Sequence, residues 1–342
     1  MTITRLPLVS VIVSCTRQGK YLQFLVNDLL RQEYPAEALE IILVGSEVNE
    51  EEHSVIQDIV NENANIELVR CRNMNVPACY NLGIQQSAGE IIILLDNQTR
   101  VKSNLVSKVV ARFGELEVSS LYGQRVYSAV SDKPLQLAMK ECLTSTFGFK
   151  GSFIPGQNPA ASSISSPFGC YRRICFEEAG YFSEYLTECF SEDYYEKLLK
   201  KGFAAQPCPD IRIIRYVPER LKDLSTLVLN KSFYRPFLVR KNRALTRFSH
   251  TLPALFILIL MGLWTAGLFD STYLALFFGV LALYWLILLL VSAATIRKYK
   301  RLILMAVMPY VFFVVHGASG WGYLMGIIRF WFPMRLKSKD AG

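Results

Sequence analysis

Apolar and polar positions along the first 120 residues switch between two periods. Short β-branched runs, "LVSVIVSC" with its core at 9–15, "LEIILVG" at 39–45, "IELVRC" at 66–71 and "EIIILLD" ending at Asp96, predict strands. Between them, apolar residues recur at helical spacing. They do so at Leu22, Leu25, Val26, Leu29 and Leu30, again at Val55, Ile56, Ile59 and Val60, and in "VPACYNLGIQQSA", which Pro77 opens. Strands apolar on both faces need helices on both sides. This alternation predicts an α/β domain with a mostly parallel central sheet, whose ligands bind beyond the carboxyl ends of the strands. Cys15, Gly45 and Asp96 fall at such ends.

Further on the pattern loosens. "NPAASSISSPFG" reads as loop, "YRRICFEEAGYF" and "SEDYYEKLLKKGF" as helical pieces with acids early and lysines late, and "IRIIRYVP" as a short strand. The stretch at 219–250 mixes basic residues with Phe233, Tyr234 and Phe237, the composition of amphipathic interfacial helices, with Pro236 expected to end or kink the first. Then come three uncharged, mostly apolar runs, 251–269, 271–296 and 302–328, the last containing His316. Each is long enough for a membrane span. The third, with "HGASGWGYLMG", reads either as a crossing or as a re-entrant segment turning at its glycines, so the region 251–328 holds two or three spans.

Charge sharpens this division. The chain of 342 residues carries a net +8, and residues 219–342 hold 16 Lys and Arg against 4 Asp and Glu, leaving about −4 for the first 218. A basic region interleaved with apolar spans suits anionic lipid headgroups rather than nucleic acid. Basic clusters at Arg240–Arg247 and Arg297–Arg301 flank the first two runs, which places them in the cytoplasm with Asp270 outside. No signal peptide is evident at the N-terminus, so the expected organisation is a cytoplasmic domain at 1–218, interfacial helices at 219–250, spans at 251–328 and a basic tail at 329–342, in the plasma (inner) membrane. All eight cysteines precede residue 209 and lack paired zinc spacing, which predicts buried, reduced thiols.

Several separated stretches carry a resemblance. "VSVIVSCTRQGKYLQFLVNDLLRQEYP", "CRNMNVPACYNLGIQQSAGEIIILLDNQT", "FGCYRRICFEEAGYFSE", "SEDYYEKLLKKG" and "HGASGWGYLMG" together resemble the family 2 glycosyltransferases, most closely the membrane-anchored bacterial exopolysaccharide enzymes. The resemblance implies a GT-A fold and inverting transfer of a sugar from a nucleotide-diphospho-sugar, a UDP-sugar favoured, to a membrane-associated saccharide such as a polyprenyl-diphosphate-linked one. It implies Asp193 as general base beside Glu192, whose like charge favours proton pickup. It implies a nucleotide-sugar site formed by Ser14, Cys15, Thr16, Arg17, Glu47, Asn81, Asp96 and Asn97. Asn81 reads there either as positioning the first-strand loops or as bonding backbone.

Arg172, Arg173, Tyr234 and Arg235 are acceptor or phosphate candidates. The family's Asp-X-Asp, which holds Mg2+ or Mn2+ against the donor diphosphate, stands here as Asp96, Asn97 and Gln98, and the amide in the third place weakens metal binding. The usual acids after the second strand are replaced by Gly45 and Ser46, with Glu47 next. Processive relatives carry a Gln-X-X-Arg-Trp motif that this chain lacks, so single-sugar transfer is favoured over a processive synthase. A catalytically degenerate membrane scaffold is the alternative of another class. No strand–helix junction has the Gly-X-Gly-X-X-Gly of a dinucleotide site.

Overall fold

The structure, a computed structural model, describes residues 6–15, 21–45, 57–72, 75–145, 147–149, 167–241 and 250–331. Contacts divide the chain into two compact units, Met1–Ser128 with Ser152–Tyr216, and Ala129–Gly151 with Val217–Gly342.

The first unit is built on an eight-stranded sheet. Its elements are β1 (Val9–Ser14), α1 (Leu22–Leu30), β2 (Leu39–Gly45), β3 (Ile66–Arg70), α2 (Val76–Gln86), β4 (Ile91–Asp96), β5 (Thr99–Arg100), α3 (Leu105–Glu115), β6 (Ser120–Ser128), β7 (Pro167–Arg172), α5 (Ile174–Ala179), α6 (Phe190–Lys200) and β8 (Ala205–Tyr216); α4 belongs to the second unit. The strand order is β3-β2-β1-β4-β7-β6-β8-β5. The pairs β1–β2, β1–β4, β2–β3 and β6–β8 are parallel, while β7 runs antiparallel to β4 and β6, and β5 antiparallel to β8.

The period-2 alternation of the strands splits the core in two. Val9, Val11 and Val13 of β1 and Ile91, Ile93 and Leu95 of β4 face α1 and α3. Ile12, Ile92 and Leu94 face α2, α5 and α6 on the other side. Helix α2 lies close against the sheet because Gly83 has no side chain there: a Cβ would stand 2.5 Å from Ile12 Cγ2 and 2.9 Å from Val44 Cγ2. Covered on both faces, the sheet leaves its strand ends as the place for polar side chains, and Ser14 and Asp96 sit side by side in register at that edge.

The second unit contains α4 (Pro134–Thr144), α7 (Leu221–Lys241), α8 (Leu252–Gly267), α9 (Ser271–Tyr299) and α10 (Leu304–Trp331). Helices α9 and α10 are long and apolar enough to cross a membrane, which gives the chain its membrane association. The first apolar run forms only the 16-residue α8, about 24 Å at 1.5 Å per residue, short of a hydrocarbon core of about 30 Å. Pro236 does not end α7, which continues to Lys241.

The third run is one unbroken 28-residue helix, so the re-entrant turn at its glycines does not occur. Those glycines serve packing instead. A Cβ on Gly322 or Gly326 would strike the carbonyl oxygens of Leu229 and Phe233 in α7, and one on Gly320 would meet Pro253 of α8. Ser232 and Ser319 hydrogen-bond at 3.0 Å across the same contact. On another face His316 bridges the Phe147 carbonyl, at 2.9 Å, and the Tyr284 hydroxyl, at 3.0 Å. Glu141 of α4 holds Lys298 and Tyr299 at the end of α9, both at 2.6 Å.

All eight cysteines are free thiols, and all but the partly buried Cys15 are buried. Burial pushes Cys142 and Cys175 from the ordinary 9.0 up to about 12. A thiol whose folded pKa is raised stabilises the fold below pH 9, and that contribution is lost as pH climbs from about 9 toward 12. Alkylation with iodoacetamide at pH 8, read by mass spectrometry, is therefore expected to spare Cys142 and Cys175 in the native protein and to modify both in urea. Native-state modification would show that these thiols are accessible.

Candidate active site

The carboxyl end of β4 turns sharply through Asp96, Asn97, Gln98 and Thr99 into β5. Asp96 makes the turn itself: its Oδ1 accepts from the Gln98 amide at 3.1 Å and from Thr99 Oγ1 at 3.2 Å, an Asx-type turn. The buried Asn97 ties this turn to the first strand by donating its amide to the Ser14 carbonyl at 3.2 Å. The Gln98 carbonyl accepts from the Tyr216 amide at 3.1 Å. One step further, Arg100 makes a bidentate pair with Asp28 of α1, at 2.5 and 2.7 Å, which clamps the turn to the first helix.

The other oxygen of Asp96 faces two guanidiniums. Arg215 of β8 approaches Oδ2 at 3.3 Å and Arg125 of β6 at 3.9 Å. Their positions follow from pairing, since β5 is antiparallel to β8 with Thr99 opposite Arg215, and β6 is parallel to β8 with Arg125 opposite Ile213. Arg215 is only 6% exposed. Burial works to lower its pKa, but the Asp96 carboxylate, with Tyr127 and Glu188, more than offsets this and raises it, so it stays charged.

Tyr80 of α2 joins this cluster to the rest of the site. Its hydroxyl donates to the Leu95 carbonyl at 3.0 Å, and burial, then Asp96, raise its pKa. Its ring packs on Phe182 and Phe190, with centroids 6.3 and 6.0 Å away. Phe190 opens α6, whose first turn carries Glu192 and Asp193, both buried. Cys189, at φ 61°, makes the left-handed step into that helix. Asp193 Oδ2 accepts from Ser183 Oγ at 3.0 Å.

Asn81, next to Tyr80, holds the segment that supplies Ser183. Its amide nitrogen donates to the Phe182 carbonyl at 3.0 Å and to Glu184 Oε1 at 2.9 Å, and its oxygen accepts from the Phe182 amide at 2.9 Å. Asn81 thus bonds backbone and positions the segment beside Asp193, while the loop after β1 lies outside the described residues.

Other sequence candidates lie elsewhere. Arg172 pairs in register with Ile91, at the end of β4 away from Asp96. Its guanidinium donates to the carbonyls of Val118 and Phe113 and stacks on the Phe113 ring. Arg173 donates to the Gly89 carbonyl at 2.7 Å and to Ser87 Oγ at 2.8 Å. The structure does not bring either arginine to the strand-end cluster. Tyr234 and Arg235 are in α7, where Tyr234 packs on Phe233 and Phe330 and Arg235 is buried. Ser14 and Cys15 end β1; burial pushes the Cys15 thiol up to about 12, so it is no nucleophile at neutral pH. Thr16, Arg17 and Glu47 lie outside the described residues.

Arg125, Arg215 and Tyr80 are the residues that reading the sequence missed. One signal was present: Ile211, Ile213 and Arg215 share a strand face, and an arginine on the apolar parity needs a buried partner.

The acids here do not fit a divalent cation. Both oxygens of Asp96 are occupied, one by the turn donors and one by guanidinium, and Gln98 brings no charge. Among the described residues, no three His, Cys, Asp or Glu side chains are grouped to hold a metal.

A sheet with this strand order and an acid at the end of its fourth strand is the arrangement of a GT-A-type nucleotide-diphospho-sugar transferase domain. The profile of Glycosyl transferase family 2 matches residues 10–179. The chain belongs to that family. Among solved structures, the mannosyltransferase PcManGT from Pyrobaculum calidifontis, in complex with GDP-Man and Mn2+, is similar over 93% of this chain and 88% of its own, with 16% identity and a TM-score of 0.51. S. aureus TarS 1-349 in complex with UDP-GlcNAc is similar over 66% of each chain, with 15% identity and a TM-score of 0.47. In a longer S. aureus TarS structure the match spans 39% of that chain, with 16% identity and a TM-score of 0.45. Curated protein sequences give no significant match.

Proposed function

We propose that the protein transfers a single sugar, with inversion, from a nucleotide-diphospho-sugar to a membrane-associated saccharide acceptor, and that Asp193 is the general base. The observation that carries this reading is that Tyr80 meets the end of the strand carrying Asp96 through its hydroxyl and, through its ring, Phe190 of the helix that carries Asp193. Asp96 stands at the strand edge where a nucleotide binds in such sheets, and Asp193 is fixed by Ser183 and, through Phe182, by Asn81. In the reaction the acceptor oxygen attacks the anomeric carbon and the bond to the donor's β-phosphate oxygen breaks. The electron pair leaves on the diphosphate, and the acceptor proton passes to the Asp193 carboxylate. The diphosphate is already a good leaving group, so no general acid is needed.

Ser14, Cys15, Asn97 and Asp96 are the described residues of the proposed nucleotide site, to which the family resemblance adds Thr16, Arg17 and Glu47. Asp96 is suited to ribose or phosphate-side contacts held by the turn. Tyr234 and Arg235 of α7 remain the acceptor-side proposal, with an arginine for a lipid diphosphate and aromatics for the headgroup zone. The acceptor class is a polyprenyl-diphosphate-linked saccharide. The solved mannosyltransferase holds GDP-Man and TarS UDP-GlcNAc, so both UDP- and GDP-sugars belong in the donor set to be tested. The Mn2+ of the former makes a divalent ion at Asp96 and Gln98 the family-based expectation, against which the ligand chemistry above stands. The basic clusters flanking the α8–α9 segment support a catalytic unit on the cytoplasmic side of the plasma membrane.

The deciding experiment incubates the full chain in detergent or nanodiscs with a panel of UDP-, GDP- and TDP-sugars and a polyprenyl-diphosphate disaccharide. Release of nucleoside diphosphate with addition of one sugar supports the reading. Long polymer shifts it to a processive synthase, and silence across the panel with no nucleotide bound shifts it to a scaffold.

A further inference from the structure

We propose that the guanidiniums of Arg125 and Arg215 take the place of the divalent cation, receiving the charge of the departing diphosphate so that transfer proceeds without metal. This rests on the nucleotide-sugar reading of the same site.

The first ground is how Asp96 is used. A carboxylate that coordinates a metal directs at least one oxygen at it, and here one oxygen is held by the Gln98 amide and the Thr99 hydroxyl while the other faces arginine. A divalent ion entering there would have to approach two fixed positive charges. Each such like-charge contact opposes the ion's entry, and more strongly in this poorly solvated place than in water. The second ground is the charge removed at Gln98. The family pattern would supply two carboxylates; this turn supplies one, and two cations stand beside it.

The third ground is the difference between the two arginines. Arg215 is committed: it is buried, lies closer to Asp96 at 3.3 Å, and has Glu188 as a second acid within electrostatic reach. Arg125 is the more loosely held of the two cations. Its contact with Asp96 is long, at 3.9 Å, its side chain is 16% exposed, and its Nε has no hydrogen-bond partner among the described residues. A guanidinium offers five N–H donors in a planar fork that matches two phosphate oxygens, which a bidentate diphosphate contact would satisfy.

The site can therefore meet the chemistry with its own residues. As the glycosidic C–O bond breaks, negative charge builds on the β-phosphate oxygen. Arg125 donates to it directly, and Arg215, pinned by Asp96, supports the field from behind and holds Arg125 in place by sharing the carboxylate. The acceptor proton goes to Asp193, and no further co-reactant is required.

The test uses the full-length protein with EDTA or with Mn2+, and measures both sugar transfer and nucleoside diphosphate binding by calorimetry. The expected result is that turnover and diphosphate affinity in EDTA equal those in Mn2+. Arg125→Gln is expected to lower kcat by about 10²–10³-fold in either buffer, weaken diphosphate binding and leave the melting temperature close to wild type, with Arg125→Lys recovering part of the loss. Because Arg215 substitutions uncover a buried carboxylate and can prevent folding, Arg125 carries the decision. Turnover abolished by EDTA and restored by Mn2+ overturns the proposal and leaves the glycosyltransferase reading intact. So does an Arg125→Gln protein that loses stability but keeps its kcat and diphosphate affinity. Failure of any nucleoside diphosphate to bind in either buffer overturns both.

Discussion

Asp193→Asn is expected to keep the fold and to lose about 10²–10⁴-fold in kcat, the range over which a positioned general base acts. The substitution preserves volume and an acceptor for the Ser183 hydroxyl, so the 3.0 Å contact survives and α6 still begins after Cys189. What disappears is the ability to take a proton from the acceptor hydroxyl. Donor affinity should be unchanged, because the proposed nucleotide site is at the ends of β1 and β4 rather than on α6. The measurement is a full kcat and KM determination for donor and acceptor together with a thermal melt. Unchanged kcat would reduce Asp193 and Glu192 to acids that complement the positive end of a helix, worth at most about 1–2 kcal/mol of stability.

The second large effect is on stability. Asp96→Asn keeps an oxygen for the Gln98 amide and the Thr99 hydroxyl, so the turn retains its acceptor. It removes the charge that faces Arg215, whose side chain is 8% exposed, and Arg125, at 16%. Removing one partner of a buried ion pair costs about 3–5 kcal/mol, because the remaining charge is left in a poorly solvated place. Glu188 lies within reach of Arg215 and draws the figure toward the lower end. For a unit of this size the melting temperature should fall by about 2–4 °C per kcal/mol, or ~6–20 °C in all. Differential scanning calorimetry of wild type and variant reads this directly. A shift of no more than a degree would mean that Asp96 acts only through its turn, and that the arginines do not depend on it.

Much of the site's scaffold is legible in the sequence because local pattern determines it. "IIILLD" must be a strand buried on both faces, so its terminal Asp96 must emerge at an edge, and it does, level with Ser14. The helical spacing in "YLQFLVNDLL" and "VPACYNLGIQQ" defines α1 and α2. Arg172 and Arg173 are placed by strand pairing that no local pattern encodes. Two adjacent arginines after a loop look available for phosphate, but the antiparallel register of β7 on β4 carries them to the opposite edge, where backbone carbonyls engage them.

"HGASGWGYLMG" is another such case. Glycines read in one dimension suggest a turn; in three they are the flat face that lets α10 lie against the backbone of α7. The attachment of α4 to the C-terminal helices through Glu141 has no local signature, since it joins residues more than 150 positions apart.

The sequence by itself determined the strand–helix alternation, the apolar helices that follow it and the acids that end β4 and open α6. These rest on periodicity and on the cost of burying charge, which act over a few residues. Only the tertiary structure decided what faces Asp96. Arg125 and Arg215 reach it from strands 29 and 119 residues away, through the pairing of β6 with β8 and of β8 with β5. Register between distant strands is set by the packing of the whole sheet, and it turns a strand ending in a lone acid into a carboxylate held between two cations.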